Sequence, residues 1–247
     1  DPIESEKTKE RLKKQGFGED ILTVKLLNFR NIDQVAEEAG KFDFVLADLG
    51  VSSMQIDNPE RGFSYKVDGP LDLRMNPQKG ISAAERLKEV TQEELYGMLL
   101  ENADEPYAEE ISKAVIRQRR IRPIETTTDL KQVIEQALSF IPEKERKEAV
   151  KKSCQRSFQA LRIDVNSEFE VLYDFLDKLP QVLAPNGRTA ILTFHSGEDR
   201  LVKKSFKQFY KEGIYSDICK DVIRPSQEEC ARNSRAKSTK MRWAIRA

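Results

Sequence analysis

The stretch 42–75, FDFVLADLGVSSMQIDNPERGFSYKVDGPLDLRM, constrains the fold of this chain more than any other. Phe44, Val45, Leu46 and Ala47 form a short apolar run of the kind buried in a parallel sheet covered on both faces. The run stops at Asp48, and Gly, Ser, Asn, Pro and Asp dominate almost thirty residues that follow. Open α/β sheets build their ligand crevice in this way, with a strand ending in a polar group and handing over to a loop. A loop of that length in a compact domain is functional or disordered. Its mixture of charges and aromatics, without low complexity, points to function.

The neighbouring segments repeat an α/β rhythm. Residues 1–16 read as a helix opened by Asp1, Pro2 and Glu4, with Gly16 just beyond its end. Residues 21–27, ILTVKLL, are β-branched and apolar and predict a strand ending at Asn28-Phe29; 31–39 predict a short amphipathic helix before the strand 44–47. A parallel sheet follows from this βαβ order. No strand or glycine-rich turn precedes residue 1 in the sequence, so the expectation is a sheet whose first strand, phosphate-type loop and first helix are missing. From 82 to 152 the pattern turns helical, with segments at 82–90, 92–101, 107–120 and 128–140; Thr91 is a suitable cap for the second. The α/β pattern returns with a long helical period at 157–179, a turn at 184–187, a strand at 188–194 and a helix near 198–210. Two short strands, 215–219 and 242–246, flank a basic loop. The domains expected are thus 1–77 and 153–247 as the two parts of one α/β domain, with 78–152 as an inserted helical subdomain.

Composition narrows the function. No apolar run approaches the ~20 residues a membrane span requires, and no basic-then-apolar leader opens the chain. Cys154, Cys219 and Cys230 are odd in number and lack CxxC spacing, which argues against a disulfide framework or structural zinc and for an intracellular compartment. Net charge is zero but segregated: residues 1–110 carry 14 Lys/Arg against 24 Asp/Glu, and residues 111–247 carry 28 against 18. Such segregation suits a face for a polyanion, most simply RNA or DNA. Candidate contacts are Arg117, Arg119 and Arg120 in RQRRIRP and Arg235 and Lys237 in the tail, where 224–246 hold seven Lys/Arg against two Glu.

Candidate chemistry collects at strand ends. Phe29, Asp48 and His195 each stand just past the carboxyl end of an expected strand, where a doubly wound sheet opens its crevice. Ser52, Ser53 and Gln55 follow closely; they suit hydrogen bonds to a ligand or an ordinary local turn. No Gly-x-Ser-x-Gly, HExxH or P-loop pattern is present, no dinucleotide fingerprint supports a dehydrogenase, and no metal is suggested.

Four ordered motifs carry a specific resemblance: DLGVSSMQIDNPERGFSYKVDGPLDLRM, CQRSFQALRIDVNSEFE, APNGRTAILTFHSGEDRLVKKSF and RPSQEECARNSRAKSTKMRWAIRA. Together they resemble the ribosomal small-subunit RNA cytosine-N4 methyltransferases of the RsmH (formerly MraW) type over nearly the whole chain. The resemblance implies a Rossmann-like S-adenosylmethionine-dependent sheet with an inserted all-helical, substrate-recognising subdomain. It implies N4-methylation of a cytidine in the decoding centre of 16S rRNA, in the cytoplasm. Phe29, Asp48 and Gln55 correspond to cofactor contacts, and the family's Gly-Gly-His loop and ribose-binding acid would lie upstream of Asp1. Asp48, Ser52, Ser53 and His195 are expected around methyl transfer, with Arg61 and Arg74 in the RNA-facing loop. Gly197 stands where the family pattern has Leu, and Asn102-Ala103 where it has Tyr-Gly. The rival expectation is a non-catalytic RNA-binding relative without cofactor affinity. Oligomeric state is undetermined by sequence, a dimer being one option.

Overall fold

The structure, a computed structural model, describes residues 2–18 and 20–247, so Asp1, expected in the first helical turn, lies outside it. The first half runs α1 (Pro2–Lys14), α2 (Ile32–Ala39), β1 (Phe42–Asp48), α3 (Ser53–Asp57), α4 (Ala83–Glu89), α5 (Gln92–Ala103) and α6 (Ala108–Ile121). The second half runs α7 (Thr127–Ala137), α8 (Glu143–Asn166), α9 (Glu168–Val182), β2 (Leu183–Thr193), α10 (Ser196–Lys211), β3 (Tyr215–Ile218), α11 (Gln227–Arg232) and β4 (Lys240–Arg246). Two compact units result: a helical one from Asp1–Leu26 and Val51–Glu168, and a sheet unit from Leu27–Gly50 and Phe169–Ala247. The helical insertion expected at 78–152 lies within the first of these.

Local chemistry explains the helix starts in the helical unit. Ser82, Thr91 and Thr126 each accept a bond from the backbone N–H three residues on, and Glu85, Glu94 and Asp129 in turn each accept one from the cap residue's N–H. These capping boxes satisfy backbone donors that a helix start otherwise leaves unpaired. The helices close over one apolar core that includes Leu87, Leu95, Leu99, Ile111, Val115, Leu130, Ile134, Phe158 and Leu161. Asn102 Nδ2 donates to the Ala160 carbonyl at 3.2 Å and Gln159 Nε2 to the Asn102 carbonyl at 3.2 Å, so the unusual Asn102 ties α5 to α8. The long helix expected through 157–179 is in fact two. Ser167, at φ +49°, takes the left-handed conformation that ends α8, and α9 begins at the next residue.

The sheet unit has strand order β1-β2-β4-β3. Only β1 and β2 pair in parallel; β4 runs antiparallel to both β2 and β3. The parallel pairing expected of the sheet is thus present at β1–β2, while the chain after β3 returns between β2 and β3 and runs in reverse, so the sheet is mixed. Before β2 settles into register, Asn186 (φ +63°) and Gly187 form a bulge. A Cβ on Gly187 would stand 2.7 Å from the Ala184 carbonyl oxygen and 2.9 Å from that of Phe42, so only glycine fits there. Leu172, Phe175, Leu176, Leu179, Ile191, Val202, Phe206 and Tyr215 form this unit's core.

Two further expectations fail, one at residues 21–27 and one at β1. Residues 21–27 form no strand. Their β-branched character is a real local preference, but a strand exists only on a ladder, and none is formed; Ile21 and Leu26 are exposed. Nor is β1 covered on both faces. Val45 and Ala47 pack on the core, whereas Phe44 and Leu46, on the alternate face, are each 57% exposed.

Candidate active site

The parallel β1–β2 pair brings two of the expected groups to one sheet edge. Asp48 is opposite Leu192 in the register, and the Leu49 N–H continues the ladder to the Leu192 carbonyl at 3.2 Å. One residue past the end of β2, Phe194 leads into His195, the N-cap residue of α10. Adjacent parallel strands therefore deliver Asp48 and His195 to the same carboxyl edge, as the crevice rule requires. Asp48 is exposed and makes no hydrogen bond or ion pair among the described residues. It shares the open face of β1 with Phe44 and Leu46, two residues apart in each case.

His195 is in a different state. Its side chain is almost wholly buried, and neither ring nitrogen has a hydrogen-bond partner among the described residues. Nε2 lies 3.4 Å from Glu198 Oε1, close enough for an ion pair should the ring be protonated, yet not aligned as a hydrogen bond. Glu198 is itself buried, and its Oε2 accepts from the Phe194 N–H at 2.9 Å. The ring lies 5.9 Å from that of Phe169. Gly197 makes this packing possible: a Cβ there would come within 2.5 Å of Phe169 Cζ and 3.2 Å of His195 Nδ1. The departure from the family's Leu thus has a physical counterpart in the aromatic tip that occupies its space. A buried imidazole with unmet hydrogen-bonding capacity calls for a role.

Asp199, next in the sequence, fastens the start of α10 to β4. Arg242 Nε donates to Asp199 Oδ1 at 2.7 Å and Nη2 to Oδ2 at 3.3 Å, while Lys240 Nζ lies 3.5 Å from Oδ2. Burial alone would raise the Asp199 carboxyl, but the Arg242 hydrogen bond and charge, with Lys240, outweigh it and hold the carboxyl below its ordinary value.

Phe29 heads a 3-10 turn capped by the Asn28 side chain, which accepts from the Arg30 N–H at 3.1 Å. The ring is 41% exposed and is braced edge-on by buried Phe175, with centroids 5.3 Å apart. Arg30 pairs with Asp174, and Lys178 donates to the Arg30 carbonyl at 2.9 Å and to Asp33 at 3.0 Å, so α9 holds the turn from two sides. An aromatic face and an unpaired carboxylate in one unit suit a nucleoside carrying a cationic sulfonium: a ring to stack on and an acceptor for its polar hydrogens.

The expected groups in the helical unit are placed differently. Ser52 caps α3; its Oγ accepts from the Gln55 N–H at 3.3 Å, and Gln55 Oε1 accepts from the Ser52 N–H at 2.9 Å. The local-turn reading of these two residues is therefore met by a capping box, and Ser53 is the exposed first residue of that helix. Arg61 is only 9% exposed; its Nη2 donates to the Arg74 and Met75 carbonyls, both at 3.0 Å, and its guanidinium lies 5.7 Å from the centre of the Phe63 ring. Arg74 forms a forked pair with Asp72 at 2.8 and 2.7 Å and donates to the Gly80 carbonyl at 2.9 Å. Arg119 Nη1 donates to the Leu87 and Val90 carbonyls at 3.0 and 2.5 Å, finishing α4. Arg117 and Arg120 are exposed on α6, as are Arg235 and Lys237 in the sheet unit.

Sequence reasoning missed Glu198, Asp199 and Arg242 as the framework around His195. The signal was present in the acidic pair Glu198-Asp199, three and four residues after the lone histidine. No helix among the described residues is long and apolar enough to cross a membrane.

A family model described as the MraW methylase family matches residues 1–247. "Ribosomal RNA small subunit methyltransferase H 1" of Lachnoclostridium phytofermentans is 71% identical over 248 residues, covering 100% of this chain and 68% of the relative. The protein of the same name from Agathobacter rectalis is 69% identical, over 100% of this chain and 71% of its own length. "Ribosomal RNA small subunit methyltransferase H" of Carboxydothermus hydrogenoformans is 40% identical, over 92% and 77% respectively. The four-stranded mixed sheet is consistent with a Rossmann-like methyltransferase, and with the match extending from end to end, this chain belongs to the MraW methylase family.

Proposed function

We propose that this methyltransferase transfers a methyl group from S-adenosylmethionine to the exocyclic N4 of a cytidine in the decoding centre of 16S rRNA, in the cytoplasm. The single observation that carries the reading is the juxtaposition of unpaired Asp48 and buried His195 on adjacent parallel strand ends. The relatives' names support the small-subunit rRNA substrate. Phe29 and Asp48 would hold the cofactor, which when bound supplies an electrophilic methyl group on positively charged sulfur.

A cytosine amine is a weak nucleophile because its lone pair is delocalised into the ring. A base stacked in RNA must also be extruded before it is reached. Asp48 Oδ accepts a hydrogen bond from N4–H, favours a pyramidal nitrogen, offsets the positive charge that develops there and takes up the proton that N4 sheds once methylated. Holding the amine in line contributes several kcal/mol of the barrier, on the scale of well-oriented reactions. His195, fixed between Phe169 and Glu198, shapes the wall of the pocket. On the resemblance alone, Gln55 is proposed as a cofactor contact and Ser52 and Ser53 as contributors to transfer. The helical unit is proposed to recognise RNA through Arg117 and Arg120, with Arg61, Arg74 and Arg119 acting by holding their loops. Arg235 and Lys237 are proposed as phosphate contacts from the sheet unit.

The test is transfer of labelled methyl groups from S-adenosylmethionine to small ribosomal subunits lacking the modification, followed by nucleoside mass spectrometry. N4-methylcytidine is the expected product; label on another base or atom would overturn the assignment.

A further inference from the structure

The outward face of α10 has no part in the site described above. Its inner face is accounted for: Val202 and Phe206 are buried, Leu201 and Phe209 pack beside them, and Glu198 and Asp199 are taken up by Phe194, His195, Arg242 and Lys240. The outer face carries Arg200, Lys203, Lys204, Lys207 and Lys211, all exposed. At about 100° per residue these five fall within an arc of roughly 100°, directly opposite the buried stripe. At 1.5 Å per residue the row is roughly 16 Å long.

Charged helix faces are commonly neutralised by their own neighbours, and α8 shows this. Its Lys151 and Lys152 lie 3.7 and 3.6 Å from Glu148. On α10, by contrast, Lys203, Lys204, Lys207 and Lys211 form no ion pair among the described residues. Glu212, just beyond the helix end, accepts a hydrogen bond from Gln208. Arg200–Lys204, Lys203–Lys207 and Lys207–Lys211 are like-charged at i,i+4, a spacing that destabilises a helix. The helix dipole favours Lys211 in the last turn, but it gives no reason for the cations further back. Four unmatched lysines, Lys203, Lys204, Lys207 and Lys211, retained on one face at a cost to the helix have their natural complement in an extended polyanion.

We infer that this face of α10 docks the phosphate backbone of the substrate RNA outside the base pocket. The inference rests on the rRNA-substrate reading and adds a surface which that reading does not use. Lysines contribute point charges without a planar fork, so the contact fixes position and contributes affinity without reading sequence. The row is long enough to meet several successive phosphates, which in duplex DNA are spaced about 3.4 Å apart per strand along the axis.

The experiment measures binding of the full chain to a decoding-region fragment of 16S rRNA across a salt series. Wild type is compared with a quadruple variant, Lys203→Gln, Lys204→Gln, Lys207→Gln and Lys211→Gln, and with the matching quadruple Lys→Arg variant. Removing the four charges should weaken binding roughly 10- to 100-fold and lower the slope of log affinity against log salt by about 3, at roughly 0.7 to 0.9 per lost phosphate contact. S-adenosylmethionine affinity and kcat at saturating RNA should be unchanged, and the Lys→Arg variant should retain the wild-type slope. An unchanged slope in the Gln variant, or a loss shared by the Arg variant, would overturn the inference. A wild-type chain that binds no RNA would instead overturn the substrate reading, and this surface with it.

Discussion

In the helical unit the polar side chains flanking loops turn back on their own backbone; in the sheet unit the corresponding groups are left for something else. Ser52 and Gln55 close a capping box, Arg61 clamps two carbonyls of its own loop, and Arg119 ends a helix. Asp48 and Phe29, by contrast, stand open, and His195 is buried without a hydrogen-bond partner among the described residues. The same residue types thus carry different meanings. A serine or arginine beside a turn is first of all a candidate for building that turn. Position relative to the sheet is the better guide to chemistry.

The contrast extends to packing, and the largest stability effect should show it. Ile134→Ala, at a fully buried position of the helical core, should cost about 2–5 kcal/mol in urea unfolding. Leu46→Ser, on the open face of β1, should cost little or nothing. A loss at Leu46 as large as at Ile134 would show that the β1 face is covered after all.

Next in size is the packing around His195. Gly197→Leu should destabilise the sheet unit by about 1–3 kcal/mol, the range for overpacking a filled site. Phe169→Ala combined with it should recover part of that loss, since the Phe169 tip occupies the space. Strictly additive effects in the double-mutant cycle would refute the steric account.

The smallest effect is acid sensitivity. The Asp199 carboxyl is held below its ordinary value in the folded state, so its pairing contributes stability above the unfolded carboxylate pKa of about 4 and loses it as pH falls through the folded value. Trp243, the single tryptophan, lies on β4 and reports this unit. Its fluorescence should show wild type losing stability as pH falls below about 4, a loss that Asp199→Asn does not share. Equal acid sensitivity in the variant would remove Asp199 from the account.

Much of this architecture was legible in the amino-acid order because the signals are local. Thr91 followed by Glu94 announces a helix start, and the apolar run inside RTAILTF announces β2. What was illegible depends on distant partners. Nothing in ILTVKLL says whether a ladder will receive it, and nothing in YSDI says that the later strand will return beside β2 in the opposite direction. The division of 157–179 at Ser167 hinges on one left-handed residue inside an otherwise continuous helical period. The candidate site divides the same way: Asp48 and His195 were visible as strand ends, whereas the commitment of Arg61 and Arg119 to carbonyls 13 to 32 residues away became visible only in three dimensions.

The most direct measurement compares single-turnover methyl transfer to unmodified small ribosomal subunits by Asp48→Ala and Ser52→Ala. Asp48→Ala should lose roughly 100-fold or more, the scale of a lost positioning and proton-accepting group, with its melting temperature unchanged. Ser52→Ala should keep most of its rate and show chiefly the ~1 kcal/mol cost of a lost helix cap. Near-normal transfer by Asp48→Ala, or a larger loss in Ser52→Ala, would contradict the claim that the sheet unit's strand ends carry the chemistry.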